Sequence, residues 1–475
     1  MHLVKQKNTT GIISLLLILE GIAFLFCAAF AIHYHEKPVP FIIPFLVSTI
    51  FGIFTFYIST KKRNNTSSNR ENVSLIIFIW FVVIIIGTLP FLLSKSISSY
   101  TDILFETISG FTSTGSTILP DPGTLSKSIL LWRSLSQWYG GILTIIMLLL
   151  IFPEINLGGY EIFSLQENKL NLVFRVFIMY CALTFLQVLL LRAGGINLFK
   201  SMCISFGTIS TGCFLPDKTA IAGYTPYIQS TMAAFMFLSG IGGVFYYKLS
   251  KLNLSISKRN DETRIYLISG VFIVIIFFWI IHFQYNHKFG EILRESIFQT
   301  ASFLSSSGYE ISGYSSWPHY FQPLIYLLIF IGGTTNSASG GIKMSRFLIL
   351  FRNIKRQFEN PVSDSNISEI IFNNKKIGEK INLKILTFIT IFGVILVFGT
   401  LVLSVITNDL KKSVFLTITA LSTFGHNISL SGLPQAGKIV LSLLMLIGRL
   451  EIFPLLVLFI PSFYKNTPAR SKNLK

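Results

Sequence analysis

The sequence predicts an all-α integral membrane protein: two N-terminal transmembrane helices, then four span–loop–span repeats in pseudo-fourfold arrangement around a central axis. Three observations predict it. Of the 475 residues 51% are hydrophobic and 13% charged, too apolar for a water-soluble chain of this length. Mostly apolar stretches of about 20 residues, the length a spanning helix needs, recur along the whole chain and leave no region for a sizeable soluble domain. Finally, four clusters of Ser, Thr and Gly recur at near-constant spacing, each behind a segment too short to cross a bilayer.

Charge supports the membrane and excludes nucleic acid. The excess of 39 Lys and Arg over 21 Asp and Glu gives a net charge of +18, but 26 of the 39 fall in segments 1–10, 60–72, 153–176, 248–264, 343–384 and 465–475. These segments lie between apolar spans rather than forming a binding stripe, and the positive-inside rule places them, with both termini, in the cytoplasm. The four cysteines, Cys27, Cys181, Cys203 and Cys213, lack paired spacing and receive no role. Gly11 to Ile32 is longer than the apolar core of a signal peptide and reads as a retained helix.

In chain order, spans are expected at 11–33 and 39–59, followed by the polar loop KKRNNTSSNREN. The first spans of the four repeats fall at 73–94, 171–192, 265–286 and 382–407, and the second spans at 126–152, 226–248, 319–352 and 437–461. The corresponding divisions are 1–72, 73–160, 161–260, 261–380 and 381–475. Between each pair a half-length apolar segment stops at ISGFTSTGST (108–117), GTISTGCF (207–214), FLSSSGYE (303–310) or ALSTFGHN (420–427). Such half-spans are re-entrant, because irregular backbone at membrane depth must be buried in protein or line a wet cavity. Gly115, Gly212, Gly308 and Gly425 are 97, 96 and 117 residues apart, the longer interval holding basic material at 343–380 assigned to the cytoplasm. Repetition of one unit implies the pseudo-fourfold arrangement.

The clusters have the chemistry of a cation path. A cation sheds water only where other oxygens replace its shell, and rings of backbone carbonyls do so without burying fixed charge. Glycine reaches left-handed φ at little steric cost, Ser and Thr add hydroxyl oxygens, and a short helix entering each loop directs its negative end toward the axis. Small residues also serve close helix packing, yet packing does not require even spacing behind half-length segments. Asp102, Asp121, Asp217 and Glu310 stand near the outer mouth, either concentrating cations or as ordinary solvated loop charges.

Residues from about 73 to 465, and more loosely the two opening spans, resemble the Trk/Ktr/HKT superfamily of potassium transporters. The passages that carry the resemblance are GTLPFLLS (87–94), FETISGFTSTGST (105–117), LWRSLSQWYGG (131–141), FIGGTTNSASGGIK (330–343) and GRLEIFPLLVLF (448–459). With the extra N-terminal pair, the last places the chain closest to bacterial Trk-type subunits. The resemblance implies filter glycines at Gly115, Gly212, Gly308 and Gly425. It implies ion-coordinating carbonyls from Ser113 and Thr114, Ser210 and Thr211, Ser306 and Ser307, and Thr423 and Phe424. Glycine rather than serine at 115 argues for potassium over sodium. The resemblance further implies K+ as the transported ion with no organic cofactor, a multi-pass bacterial cytoplasmic (inner) membrane location, a homodimer, and a cytosolic nucleotide-binding regulatory subunit as partner. SSSGY in the third cluster, STFGHN in the fourth and GIGGVFYY in the second span of repeat two depart from the usual pattern. His426, beside the fourth cluster, reads as a hydrogen-bonded mouth residue or a proton sensor.

A gate is expected in the third repeat, whose second span is interrupted by Gly332, Gly333, Thr334, Thr335, Asn336, Ser337, Ala338, Ser339, Gly340 and Gly341. Glycine costs about 1 kcal/mol relative to alanine in a helix interior, and freed backbone groups need water or protein partners. A kinked packing site is the competing reading. Arg449 lies in an apolar run where a central Arg costs roughly 2.5–3.5 kcal/mol on insertion scales, so it should face the interior. From there it would bond the loop's carbonyls rather than Glu451, because residues two apart on a helix point in different directions.

Enzyme motifs such as HExxH, GxSxG and Walker A are absent from the sequence, which argues against a membrane hydrolase or ATPase. Successive repeats each contain two full spans and share one orientation, unlike an inverted-repeat symporter. Proton- or sodium-coupled potassium symport on the same fold, a less selective potassium/sodium transporter, and a scaffold role stay open.

Overall fold

In hydrocarbon the backbone must satisfy its own hydrogen bonds, and a helix does so within one segment; the apolar stretches accordingly fold as helices. The computed structural model describes residues 9–61, 69–150, 169–217, 221–243, 245–246, 261–284, 288–311, 317, 319–359, 369–373, 375–426 and 429–457. An opening pair, α1 (Thr9–His33) and α2 (Val39–Lys61), precedes the rest. The next stretch has α3 (Asn69–Ser94), the short α4 (Tyr100–Phe111) and α5 (Lys127–Leu150). It is followed by α6 (Lys169–Ala193), the short α7 (Leu198–Ile209) and α8 (Pro226–Ser239). Then come α9 (Asp261–Gln284), α10 (Phe289–Ser305), α11 (Gln322–Ile331) and α12 (Met344–Glu359). A two-residue hairpin, Ile371–Phe372 against Lys375–Lys376, leads to α13 (Glu379–Thr407), the short α14 (Leu410–Leu421), α15 (Gln435–Arg449) and α16 (Phe453–Val457).

Among the described residues six helices are long and apolar enough to cross a membrane: α1, α2, α3, α6, α9 and α13. They are the opening pair and the four first spans. Of the second spans, α5 is long enough but too polar, with Arg133, Ser134, Ser136 and Gln137 turned inward and all at most 3% exposed, while α8, α11 and α15 are too short to cross. The chain is thus an all-α membrane protein.

Only α5 among the second spans runs as one long helix. The expected span 226–248 breaks as a helix after Ser239 and is helical again at Gly243, and 437–461 stops at Arg449 and resumes at Phe453. At the first of these breaks the loop 332–343, whose residues 332–341 were expected to interrupt their own span, supplies the hydrogen-bond partners. Thr334 donates its backbone N–H and its hydroxyl to the Gly240 carbonyl, each at 3.0 Å, while Gly243 N–H donates to Asn336 O. The loop thereby takes hydrogen-bonding groups that would have continued α8. The break after α15 holds Glu451 and Ile452 at φ 60° and 58°.

Charge assignments also shift. Lys343 and Arg346, counted with the cytoplasmic segment 343–384, are 2% and 4% exposed, and Glu262 from segment 248–264 is 5% exposed. Each is buried against the loop. The termini and most of segments 60–72, 153–176 and 248–264, on which the assignment of sides rests, lie outside the described residues.

The opening pair is fastened to the first unit. Glu36, between α1 and α2, accepts N–H groups from Lys127 at 2.8 Å and Ser128 at 3.0 Å, satisfying donors that the start of α5 leaves unpaired and complementing its positive end. Deeper down, Tyr139 of α5 donates to Leu16 O, and Phe24 packs on Trp132 with centroids 4.3 Å apart.

Candidate functional site

The four short helices end in one construction. In each, a left-handed residue follows the last turn: Ser113, Thr211, Ser306 and Thr423, at φ 54°, 60°, 61° and 45°. That residue donates its N–H to the carbonyl three back (Gly110, Thr208, Phe303, Ala420), and the next donates to the carbonyl five before it (Ser109, Gly207, Ser302, Thr419). This pair of hydrogen bonds is the Schellman cap, which satisfies carbonyls a helix end would otherwise leave open.

The shared cap corrects two expectations. The left-handed residue precedes the glycine, and of the four glycines only Gly115 and Gly308 have positive φ, 76° and 80°. Counted from the cap, the second loop is also shifted by one residue. Thr211 and Gly212 hold the places of Ser113 and Thr114, Ser306 and Ser307, and Thr423 and Phe424, while Ser210 belongs to the helix end. Gly212 is required for space, since a Cβ there would stand 2.5 Å from the Gln137 carboxamide. Gly425 is required for the same reason, its added Cβ lying 2.8 Å from Thr114 O.

The turns converge. A Cβ on Gly308 would meet Gly425 O at 2.1 Å, and one on Gly115 would meet the Cys213 amide nitrogen at 2.9 Å. Ser116 Oγ lies 3.1 Å from His426 Nε2, Leu430 N–H donates to Thr117 O, and the rings of Phe303 and Phe424 stack 5.4 Å apart. All four turns are buried. Behind the first, Glu106 accepts from Arg133 at 2.5 Å and from Thr117, and the Arg133 guanidinium covers the Phe214 ring at 4.0 Å. His426 is hydrogen-bonded and 1% exposed.

The mouth acids are largely matched. Asp102 pairs with Lys438 at 2.7 Å and Asp217 with Lys200 at 2.5 Å, while Asp121 accepts the Gly123 N–H. Glu310 follows the third turn, half-buried.

Against the turns lies the loop 332–343, with Gly332, Asn336, Gly341 and Lys343 at positive φ. Gly341 N–H donates to Ser422 O, and a Cβ on Gly340 would stand 1.7 Å from that oxygen, so loop and fourth turn touch backbone to backbone. Buried charges hold the loop. Glu262 accepts from Thr335 N–H at 2.6 Å, its hydroxyl at 2.9 Å and Ser345 N–H at 3.2 Å, and Lys343 donates to Ser339 O. Arg449 donates to Ala338 O at 2.5 Å and to Ser113 Oγ at 3.2 Å, joining loop to first turn. Glu451 pairs with Arg346 at 2.6 Å. No role at the site was expected for Gln137, Glu262, Lys343 or Arg346; an ionisable residue ending the GGTTNSASGGIK passage was the available signal for Lys343.

Comparison with known proteins agrees with this architecture. Residues 40–466 match the TrkH family, described as cation transport protein. The Trk system potassium uptake protein TrkH of Escherichia coli K12 is 28% identical, covering 97% of this chain and 99% of its own. An uncharacterized cation transporter of Methanocaldococcus jannaschii is 27% identical, covering 97% of each. The crystal structure of the potassium transporter TrkH from Vibrio parahaemolyticus superposes with a TM-score of 0.87 at 24% identity, over 97% of this chain and 100% of that one. With nearly its whole length matched, this chain belongs to the TrkH family of cation transport proteins, a transporter family rather than an enzyme family.

Proposed function

We propose that this chain mediates potassium uptake across a bacterial cytoplasmic membrane, the ion passing where the four capped turns meet. One observation carries the reading: four short helices end in the same cap and bring Gly115, Gly308 and Gly425 with their neighbours into mutual contact. Four negative helix ends and a cluster of backbone carbonyls suit a dehydrating monovalent cation, and the named activity of the E. coli relative supplies the ion. In this reading the units 73–160, 161–260, 261–380 and 381–475 surround one axis in pseudo-fourfold order, with 1–72 as an outer pair.

The loop 332–341 is the gate and Arg449 its latch. A guanidinium bonded both to the loop and to the first turn places positive charge below the cation path and holds the loop there. Both termini in the cytoplasm, from the positive-inside rule, and a homodimer with a cytosolic nucleotide-binding regulatory subunit, from family resemblance, complete the reading. The test is rescue of a potassium-uptake-deficient bacterium at low external potassium, with and without a co-expressed regulatory protein. Growth restored by the chain is expected; membrane-inserted chain that restores none in either case contradicts potassium uptake.

A further inference from the structure

The second turn differs from the other three in one atom set. Two places beyond the left-handed residue stand Gly115, Gly308 and Gly425 in the first, third and fourth turns, but Cys213 in the second. Cys213 is 2% exposed, and its thiol borders two other turns at once. Sγ lies 3.3 Å from the Gly115 carbonyl oxygen and 3.9 Å from that of Thr114, and a Cβ on Gly425 would come within 2.2 Å of it. A second group marks the same place as polar space. Gln137, fully buried, gives its Oε1 to Phe214 N–H, while its Nε2 has no hydrogen-bond partner among the described residues and stands 3.1 Å from where a Gly115 Cβ would be. A buried amide N–H is rarely left so unless water or another acceptor completes it.

A thiol where the other turns have a hydrogen atom changes the ring in two ways. It fills volume between the first and fourth turns. It also places sulfur, which favours soft cations, among oxygens, which favour hard ones. We propose that Cys213 is a specificity-determining residue of the cation path, narrowing it from the second turn and presenting sulfur to passing ions. The inference rests on the cation-transport reading above.

The test uses purified full-length chain in liposomes, with potassium flux and potassium-over-sodium discrimination measured for wild type, Cys213→Ser and Cys213→Gly, with and without Cd2+. Serine keeps the shape and removes the soft ligand, so it is the deciding variant; Cys27, Cys181 and Cys203 remain in every protein as internal controls. Cd2+ is expected to block wild type and to need roughly tenfold more metal for Cys213→Ser, as expected when sulfur is exchanged for oxygen. Cys213→Gly is expected to raise flux severalfold and lower discrimination. Equal Cd2+ sensitivity in wild type and Cys213→Ser overturns the proposal, whatever the glycine variant does. Wild-type vesicles without cation flux overturn the transport reading itself, and the inference with it.

Discussion

At Gly115 and Gly308 the backbone sits at φ 76° and 80°, where a side chain is strained, whereas at Gly212 the constraint is the Gln137 carboxamide, 2.5 Å from where a Cβ would stand. The two causes predict different behaviour. Gly308→Ala adds a Cβ 2.1 Å from Gly425 O, so backbone must move, and potassium-over-sodium discrimination is expected to be lost while the protein still inserts and assembles. Gly115→Ser is expected to raise sodium permeation relative to potassium without stopping flux. Gly212→Ala should also lower flux, but Gln137→Ala in the same chain should restore much of it, since the obstacle is then a side chain. Flux assays of the double-mutant cycle check this, with strong non-additivity expected for residues in contact; additive losses contradict the packing cause. That a turn stands at each of the four clusters was legible in the sequence, but the register of the second turn was not. ISTG and TSTG look alike, and only the hydrogen bonds closing each helix show that Thr211, not Ser210, is the left-handed residue. The same shift hid Cys213.

Among elements, the loop 332–343 sets the conformation of its neighbours. The glycines and hydroxyls of GGTTNSASGG announced a break in their own span, and the structure has it. The breaks after α8 and before α16 were not legible. The three glycines of LSGIGG weaken a helix, and Thr334 and Asn336 supply the hydrogen bonds at the end of α8 from another part of the chain. If Arg449 is the latch, Arg449→Ala or deletion of 334–339 raises potassium flux and weakens dependence on the regulatory partner. Glu262→Ala removes three hydrogen bonds from the loop's other side and should do the same more weakly, because the Arg449 bonds remain. Liposome flux assays decide it, and wild-type rates with intact regulation in all three contradict the gate.

Over the whole molecule, buried ion pairs tie the turns to the helices behind them. Arg133 and Glu106, 2% and 0% exposed at their side chains, join α5 to α4. Removing one partner of such a pair leaves a charge in low dielectric at a cost of about 3–5 kcal/mol. Glu106→Ala is therefore expected to lower the melting temperature in detergent sharply, and Glu106→Asp much less. An unchanged melt contradicts a structural role for the pair. The all-α membrane class was legible because composition and span length are set by the solvent alone, and the six apolar helices fall where the apolar stretches do. How the polar second spans pack was not, since it depends on contacts such as Glu36 with the start of α5, 91 residues away. We propose that cations pass where the four turns meet, and anomalous diffraction from crystals equilibrated with rubidium would locate such a cation. A rubidium peak among Gly115, Cys213, Gly308 and Gly425 is the predicted result; rubidium bound elsewhere in the membrane region with none at this ring would contradict it.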